Sequence, residues 1–368
     1  MSNVRAAVLS EYQQPLTIRE YPEPASLAPG EVLVTVELAG ICGTDVHLWK
    51  GELPVPLPVI LGHETVGRIE RLGTGTVEDW RGSPLTEGDR ICWASSISCG
   101  ACFYCRVKNQ PTRCTTRKAY GISYCADEAP HLRGGYAEKI LLRAGTAIFR
   151  IPENVSTDAV IGAGCALTTA VHGLERAAVA LGDVVVIQGS GPVGLAALAM
   201  AIQSGAILAI VIGGPSHRLE MAKRFGAQTV FNTEDYADRQ FLRKCVLAET
   251  GGYGADVVIE CVGHPSAVPE GLEYCRDGGK YIVLGQYANA GDVALNPHTI
   301  TRKQLQVVGS WGFEPRHVYR ALTILEQTDW KHQFARQITH RFPLERADEA
   351  LQTTREWQSG KTAIVPNP

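Results

Sequence analysis

Up to about residue 150 the chain alternates short apolar runs with turn residues. The runs at 32–36, 65–72, 89–94 and 137–142 have strand length and are separated by Gly, Pro, Asp and Ser, which predicts a compact, mostly antiparallel β domain. The stretch 53–58, LPVPLP, must be extended, because its prolines remove amide donors and restrict the residues before them.

After about Asn154 the texture changes. Apolar strands at 184–188, 206–212, 229–231, 256–261 and 280–284 alternate with helical stretches at 193–204, 218–225, within 236–249 and at 267–275. Residues 305–309 add a sixth strand. Such alternation means right-handed βαβ units, so the fold class is α/β with a doubly wound parallel sheet beside the β domain. From about residue 313 a helix (317–327) and a short β return (361–365) follow. They carry too little apolar surface to stand alone and are expected to pack on the N-terminal domain.

One stretch, 184–216, has no charged side chain and is long enough to span a bilayer. Its glycines and Pro192 cut it into strand-length and helix-length pieces, as in a buried parallel sheet, so no membrane span is expected. At the start, only residues 6–9 form an apolar run, too brief for a signal peptide, which predicts a cytoplasmic protein.

Composition narrows the partners. The 368 residues suit two domains, and a net charge of −3 with no long run of either sign predicts neither nucleic acid nor a membrane surface as partner. The eleven cysteines change the picture more, because Cys99, Cys102, Cys105 and Cys114 lie in one short segment. In a reducing compartment such a cluster marks a metal site rather than a disulfide framework.

Gly189, Ser190, Gly191, Pro192, Val193 and Gly194 form a GxGxxG motif directly after one apolar strand and opening an apolar helix. In that setting the glycines allow the tight turn, the approach of a pyrophosphate and close helix–strand packing, with the phosphates at the helix N-terminus. The acid expected about twenty residues on, to bind an adenosine ribose, is missing. The second strand ends Ile212-Gly213-Gly214, and Gly213 would leave room for a 2′-phosphate with His217 and Arg218 just beyond. NAD is the expected cofactor, with NADP left open. Val262, Gly263, Leu284 and Gly285 lie at strand ends where a nicotinamide would rest.

Gaps of two, two and eight residues between Cys99, Cys102, Cys105 and Cys114 suit a closed tetrahedral zinc site of structural type. An iron–sulfur or redox site would need further cofactor chemistry that nothing else in the chain supports. A second constellation is dispersed: Cys42-Gly-Thr44-Asp45 with His47, then Gly62-His63-Glu64, then Cys165. Two cysteines and one histidine can form the set that leaves zinc a fourth position for water or substrate.

Gly62-His63-Glu64, with Gly67 and Gly73 after it, resembles the zinc signature of the zinc-dependent medium-chain alcohol dehydrogenases, and the resemblance runs over essentially the whole chain. It implies a GroES-like catalytic domain from residues 1–168 and 312–368, with a structural zinc lobe at about 95–118, around a Rossmann domain at 169–311. By position, Cys42, His63 and Cys165 are similar to the catalytic zinc ligands, Glu64 to a nearby carboxylate that can approach the metal, and Asp45 to the acid orienting the histidine. Thr44 and His47 match the proton relay. Cysteine rather than glutamate at 165 points to the simple-alcohol type of zinc site. The resemblance implies two zinc ions per chain, a homodimer or homotetramer, and reversible hydride transfer between NAD(P) and a primary or secondary alcohol.

Two other functions compete with this one. A zinc-independent quinone or enone reductase of the same superfamily would not need Cys42, His63 and Cys165 together. A non-catalytic dinucleotide sensor would not need Thr44 and His47 as well. Other residues are expected to be ordinary. Cys92, Cys125, Cys245, Cys261 and Cys275 read as buried thiols, His131 and Arg133 as a solvated loop, and Trp49 and Trp93 as either core or pocket wall.

Overall fold

The computed structural model describes residues 3–75 and 77–367. They form two compact units, Met1–Cys165 with Glu314–Pro368, and Ala166–Phe313. The second unit is a few residues longer at each end than 169–311, because the division falls inside the helical segment Thr157–Ala177. That segment is broken at Gly164, whose φ of 47° and ψ of −149° are not helical.

The first unit is organised on the strand Val32–Ile41, buried at nearly every position. A strand apolar on both faces has to be enclosed by neighbours. Glu64–Leu72 runs antiparallel along one edge, while the other edge is shared by Lys139–Leu142 and Lys361–Val365. The sheet continues from Glu64–Leu72 to Arg90–Trp93 and Ile148–Arg150, and from Lys361–Val365 to Ile338–Pro343, the only parallel pairing in it. A smaller sheet joins Thr17–Pro22, Asn3–Leu9 and Val59–Ile60. Leu33, Ile60, Ile91, Leu141, Leu351 and Ile364 meet in one core, each fully buried side chain contributing about 1.5–3 kcal/mol. The β return after residue 313 therefore completes the N-terminal sheet.

Three expectations for residues outside the candidate sites are resolved. Trp49 and Trp93 belong to the core. His131 is half-buried and stacks on Tyr21, whereas Arg133 is not solvated: 7% exposed, it donates to the Leu141 carbonyl at 2.6 Å and faces Glu31. His131 also meets the Ala126 carbonyl at 2.8 Å, and the partners of Arg133 come from a neighbouring strand and from the residue before the central strand. Cys92 and Cys275 are buried, whereas Cys125, Cys245 and Cys261 are half-buried, standing in a turn, on a helix surface and at a strand end.

The second unit is a six-stranded, wholly parallel sheet in the order Thr229–Asn232, Leu208–Gly213, Val184–Gln188, Ala255–Glu260, Cys275–Val283, Gln306–Gly309. The uncharged stretch 184–216 resolves into a strand, the helix Pro192–Gln203 and a second strand. Among the described residues no helix is long and apolar enough to cross a membrane.

Candidate active site

The first unit gathers Cys42, His63, Glu64 and Cys165, with one ligand atom from each lying within 4.8 Å of the others. Cys42 ends the central strand and caps the helix Gly43–Lys50, where Asp45 closes the first turn by accepting the Cys42 N–H at 2.9 Å. The other oxygen of Asp45, a wholly buried residue, lies 3.3 Å from His63 Nδ1, which leaves Nε2 of that ring for a ligand. Glu64 opens its strand opposite Gly40. The break at Gly164 turns the next amide outward from the helix, so that Cys165 N–H donates to Glu64 Oε1 at 2.8 Å. A Cβ at 164 would lie 2.7 Å from that oxygen and 2.5 Å from Lys361 Nζ, so only glycine fits.

The electrostatics suit a cation. Cys42 Sγ stands 3.4 Å from Cys165 Sγ. That partner, with His63, overcomes burial and lowers the Cys42 thiol to about 5, while Cys165 is pushed well above its usual value by Cys42 and by burial. A thiolate is the form in which a divalent metal binds cysteine. Burial would lower His63, but the Asp45 carboxylate holds it well above the ordinary range. Glu64, which burial would raise, is brought to about 2 by Lys361 and His63. Two thiolates on one tetrahedral zinc, with Zn–S of about 2.3 Å, stand roughly 3.5–4 Å apart, so the donor set and its spacing fit zinc.

Thr44 and His47 sit three residues apart on the same helix. Thr44 is half-buried. His47 turns its Nδ1 to Glu52 and is partly exposed. Sequence reasoning missed Lys361 and Tyr136. Lys361 stands 2.5 Å from Glu64 Oε2, and Tyr136 is a fully buried ring packed on Gly62. The one available signal for Lys361 was a charge opening an otherwise apolar strand.

The second cysteine group is local. Cys99, Cys102, Cys105 and Cys114 converge in a lobe pinned at its base by the ladder between Ser96–Ile97 and Lys118–Ala119. Main-chain amides point at the sulfurs: Cys102 N–H to Cys99 Sγ at 3.3 Å and Cys99 N–H to Cys114 Sγ at 3.3 Å. Amide donors lower the Cys102 thiol to about 6, and burial raises Cys105 to about 12. Four convergent sulfurs leave no open position, as a structural zinc site requires.

In the second unit Gly189 makes the turn after the strand Val184–Gln188 with φ of 103°, Gly191 caps the helix, and Pro192 is its first residue with Val193 next. Gly194 packs so closely that a Cβ would lie 1.9 Å from the Gly189 carbonyl oxygen. At Gly213 a Cβ would meet Ser190 Oγ at 2.6 Å, and that hydroxyl accepts from the Gly214 amide at 3.1 Å. Arg218 is half-buried with its guanidinium beside Gly191, and burial lowers its pKa. At the strand ends, the Val262 side chain is half exposed, and Gly263, Leu284 and Gly285 close the adjacent turns.

A β domain carrying two metal-competent clusters, on a chain that also forms a doubly wound sheet with a phosphate-binding turn, defines a metal-dependent, dinucleotide-using dehydrogenase. Residues 28–153 match the alcohol dehydrogenase GroES-like domain and residues 192–327 the zinc-binding dehydrogenase domain. The chain is 36% identical to 5-exo-hydroxycamphor dehydrogenase of Pseudomonas putida, over 96% of each chain. It superposes on a crystal structure of an alcohol dehydrogenase from Thermotoga maritima with a TM-score of 0.94 and 35% identity, covering 100% of both chains. A zinc-binding dehydrogenase from Sinorhizobium meliloti 1021, bound to NADP, matches at 28% identity and a TM-score of 0.84, again over 100% of both chains. The chain belongs to the zinc-dependent medium-chain alcohol dehydrogenase family, and it is an oxidoreductase acting on CH–OH groups of small molecules with NAD(P).

Proposed function

We propose that Cys42, His63 and Cys165 hold a catalytic zinc, with Glu64 beside it, that Cys99, Cys102, Cys105 and Cys114 hold a structural zinc, and that the reaction is the reversible oxidation of a secondary alcohol to a ketone. The observation that carries this is the convergence of the two sulfurs, the imidazole and the carboxylate within 4.8 Å. When bound, zinc supplies Lewis acidity toward a hydroxyl oxygen and the nicotinamide supplies the hydride acceptor. Asp45 fixes the His63 tautomer through Nδ1 and keeps the ring in place. Thr44 would accept the substrate hydroxyl proton while releasing its own onward, and His47, whose Nδ1 faces Glu52, would take up the relayed proton at Nε2 and give it to solvent.

The turn Gly189–Gly194 and the first amides of its helix bind the pyrophosphate, Arg218 lies beside them, and Val262, Gly263, Leu284 and Gly285 carry the nicotinamide end. NAD is favoured, with NADP tested beside it because no acid follows the second strand. The hydroxyl named in the camphor-type relative stands on a ring, which supports a secondary alcohol. The exposed edge strand Gln306–Gly309 supports a homodimer or homotetramer, and eleven free thiols support a cytoplasmic, reducing setting.

The test is the initial rate of NAD and NADP reduction by the zinc-loaded protein over primary, acyclic secondary, cyclic secondary and polyhydric alcohols. Turnover concentrated on secondary alcohols supports the proposal. Preference for primary alcohols removes the substrate class, and no turnover with either cofactor overturns the whole.

A further inference from the structure

Glu260 ends the fourth strand of the parallel sheet and is completely buried. Its carboxylate faces main-chain amides: Oε1 accepts from Val262 N–H and Gly263 N–H, both at 2.7 Å, and Oε2 from Gly285 N–H at 3.1 Å. The Glu260 carbonyl also accepts from Leu284 and Gly285 N–H at 3.0 Å. One residue therefore ties the turn after the fourth strand to the turn after the fifth.

The two turns fit only around that carboxylate. Gly263 has φ of +82°, and a Cβ on it would lie 2.7 Å from the Gly285 carbonyl oxygen. A Cβ on Gly285 would lie 2.5 Å from Gly263 N and 2.7 Å from Glu260 Oε1. Burial pushes the Glu260 pKa up, and the amide donors work against it. A buried acid is costly unless its acceptor capacity is used. Here the need is for acceptors on both oxygens at once, which a carboxylate offers and a carboxamide does not, because the NH2 of Gln would confront one set of N–H groups.

We infer that Glu260 is a positioning residue for hydride transfer, holding the 262–263 and 284–285 turns in the one arrangement that receives the nicotinamide half of the dinucleotide. This rests on the proposed cofactor site. Glu260 itself has no exposed surface with which to touch the cofactor, so its effect passes through the main chain of the two turns. The pyrophosphate turn Gly189–Gly194 leaves the neighbouring strand; Gly189 packs on the Cys261–Val262 main chain, but its amide is held by the Ile212 carbonyl rather than by Glu260.

The test is calorimetric binding of NADH and of ADP-ribose, with NADPH and its 2′-phosphorylated fragment in parallel, to the zinc-loaded wild type and to Glu260→Gln. The wild type should bind both whole cofactor and fragment; failure to bind either member of both series would overturn the cofactor site itself and this inference with it. In Glu260→Gln the affinity for whole cofactor should fall about tenfold or more, while the affinity for the fragment stays within about twofold. Equal losses for both would mean a merely structural residue, and no loss in either would mean no positioning role; each overturns the inference. Gly285→Ala, which wedges the turns apart while keeping the carboxylate, should give the same split. It decides the matter should Glu260→Gln not fold: selective loss of whole-cofactor binding supports the inference, and equal or no loss overturns it.

Discussion

Lys361 and Glu64 face each other 2.5 Å apart, each side chain 1% exposed, immediately beneath the Cys42–His63–Cys165 group. The lysine opens the strand Lys361–Val365, and the glutamate opens the strand Glu64–Leu72. The pair balances charge at a place where the thiolate of Cys42 already adds a negative one.

Removing one partner leaves the other charged and dry, which costs about 3–5 kcal/mol. Lys361→Met should therefore lower stability by about that much in urea unfolding of the zinc-loaded protein. Adding Glu64→Gln should return part of the loss, because the orphan charge disappears with it. A double variant no better than Lys361→Met would mean that lost packing, not lost pairing, was responsible.

Cys42→Ala should leave the fold and the cysteine lobe intact, lower the zinc content from two ions to one, and cut turnover about a thousandfold or more. Metal analysis and initial rates on one preparation check it. Retained activity would remove Cys42 from the catalytic set.

Cys99→Ser should act in the opposite sense, on stability first. The lobe at 95–118 has little core of its own and is closed only by a two-residue ladder, so its four sulfurs and their metal hold it together. Lower zinc content with a lower Tm is expected. An unchanged Tm with both metals present would refute the structural role.

Asp256 offers a pH test away from both metal sites. Burial would raise its pKa, but the Val184 N–H at 2.7 Å and Arg276 Nε at 2.6 Å bring it below the usual value. A lowered folded pKa means stability that is complete above the unfolded value of about 3.9 and is lost as pH falls through the folded value. Asp256→Asn should be less stable than wild type by about 1 kcal/mol at pH 7, with the gap closing below about pH 4. A gap that stays constant down to pH 3 would show that the charge contributes nothing.

The parallel sheet was legible because alternating apolar strands and helices leave few other folds, and the metal groups because cysteine and histidine carry their chemistry in their identity. What escaped was set by long-range pairing. Lys361 meets Glu64 only because the strand Lys361–Val365 docks beside Val32–Ile41, a register that no local pattern encodes. Glu260 falls within the strand expected at 256–261, and no local pattern shows the turns that close over it. Neither the helical segment 157–177 nor its break at Gly164, where Glu64 and Lys361 pack, is among the elements the local pattern predicts. Arg133 was misjudged for a related reason: its partners, the Leu141 carbonyl and Glu31, are brought to it by strands elsewhere in the chain.

The position of the strand Lys361–Val365 within its sheet also bears on how the protein emerges from the ribosome. It lies between Val32–Ile41 and Ile338–Pro343, so the first unit cannot close its sheet until residues 338–365 have been translated. The parallel sheet of the second unit draws all its strands from one continuous stretch, 184–309, and is free to fold while the nascent N-terminal segment waits with an open apolar edge. During that interval Val32–Ile41 is the segment most in need of a chaperone.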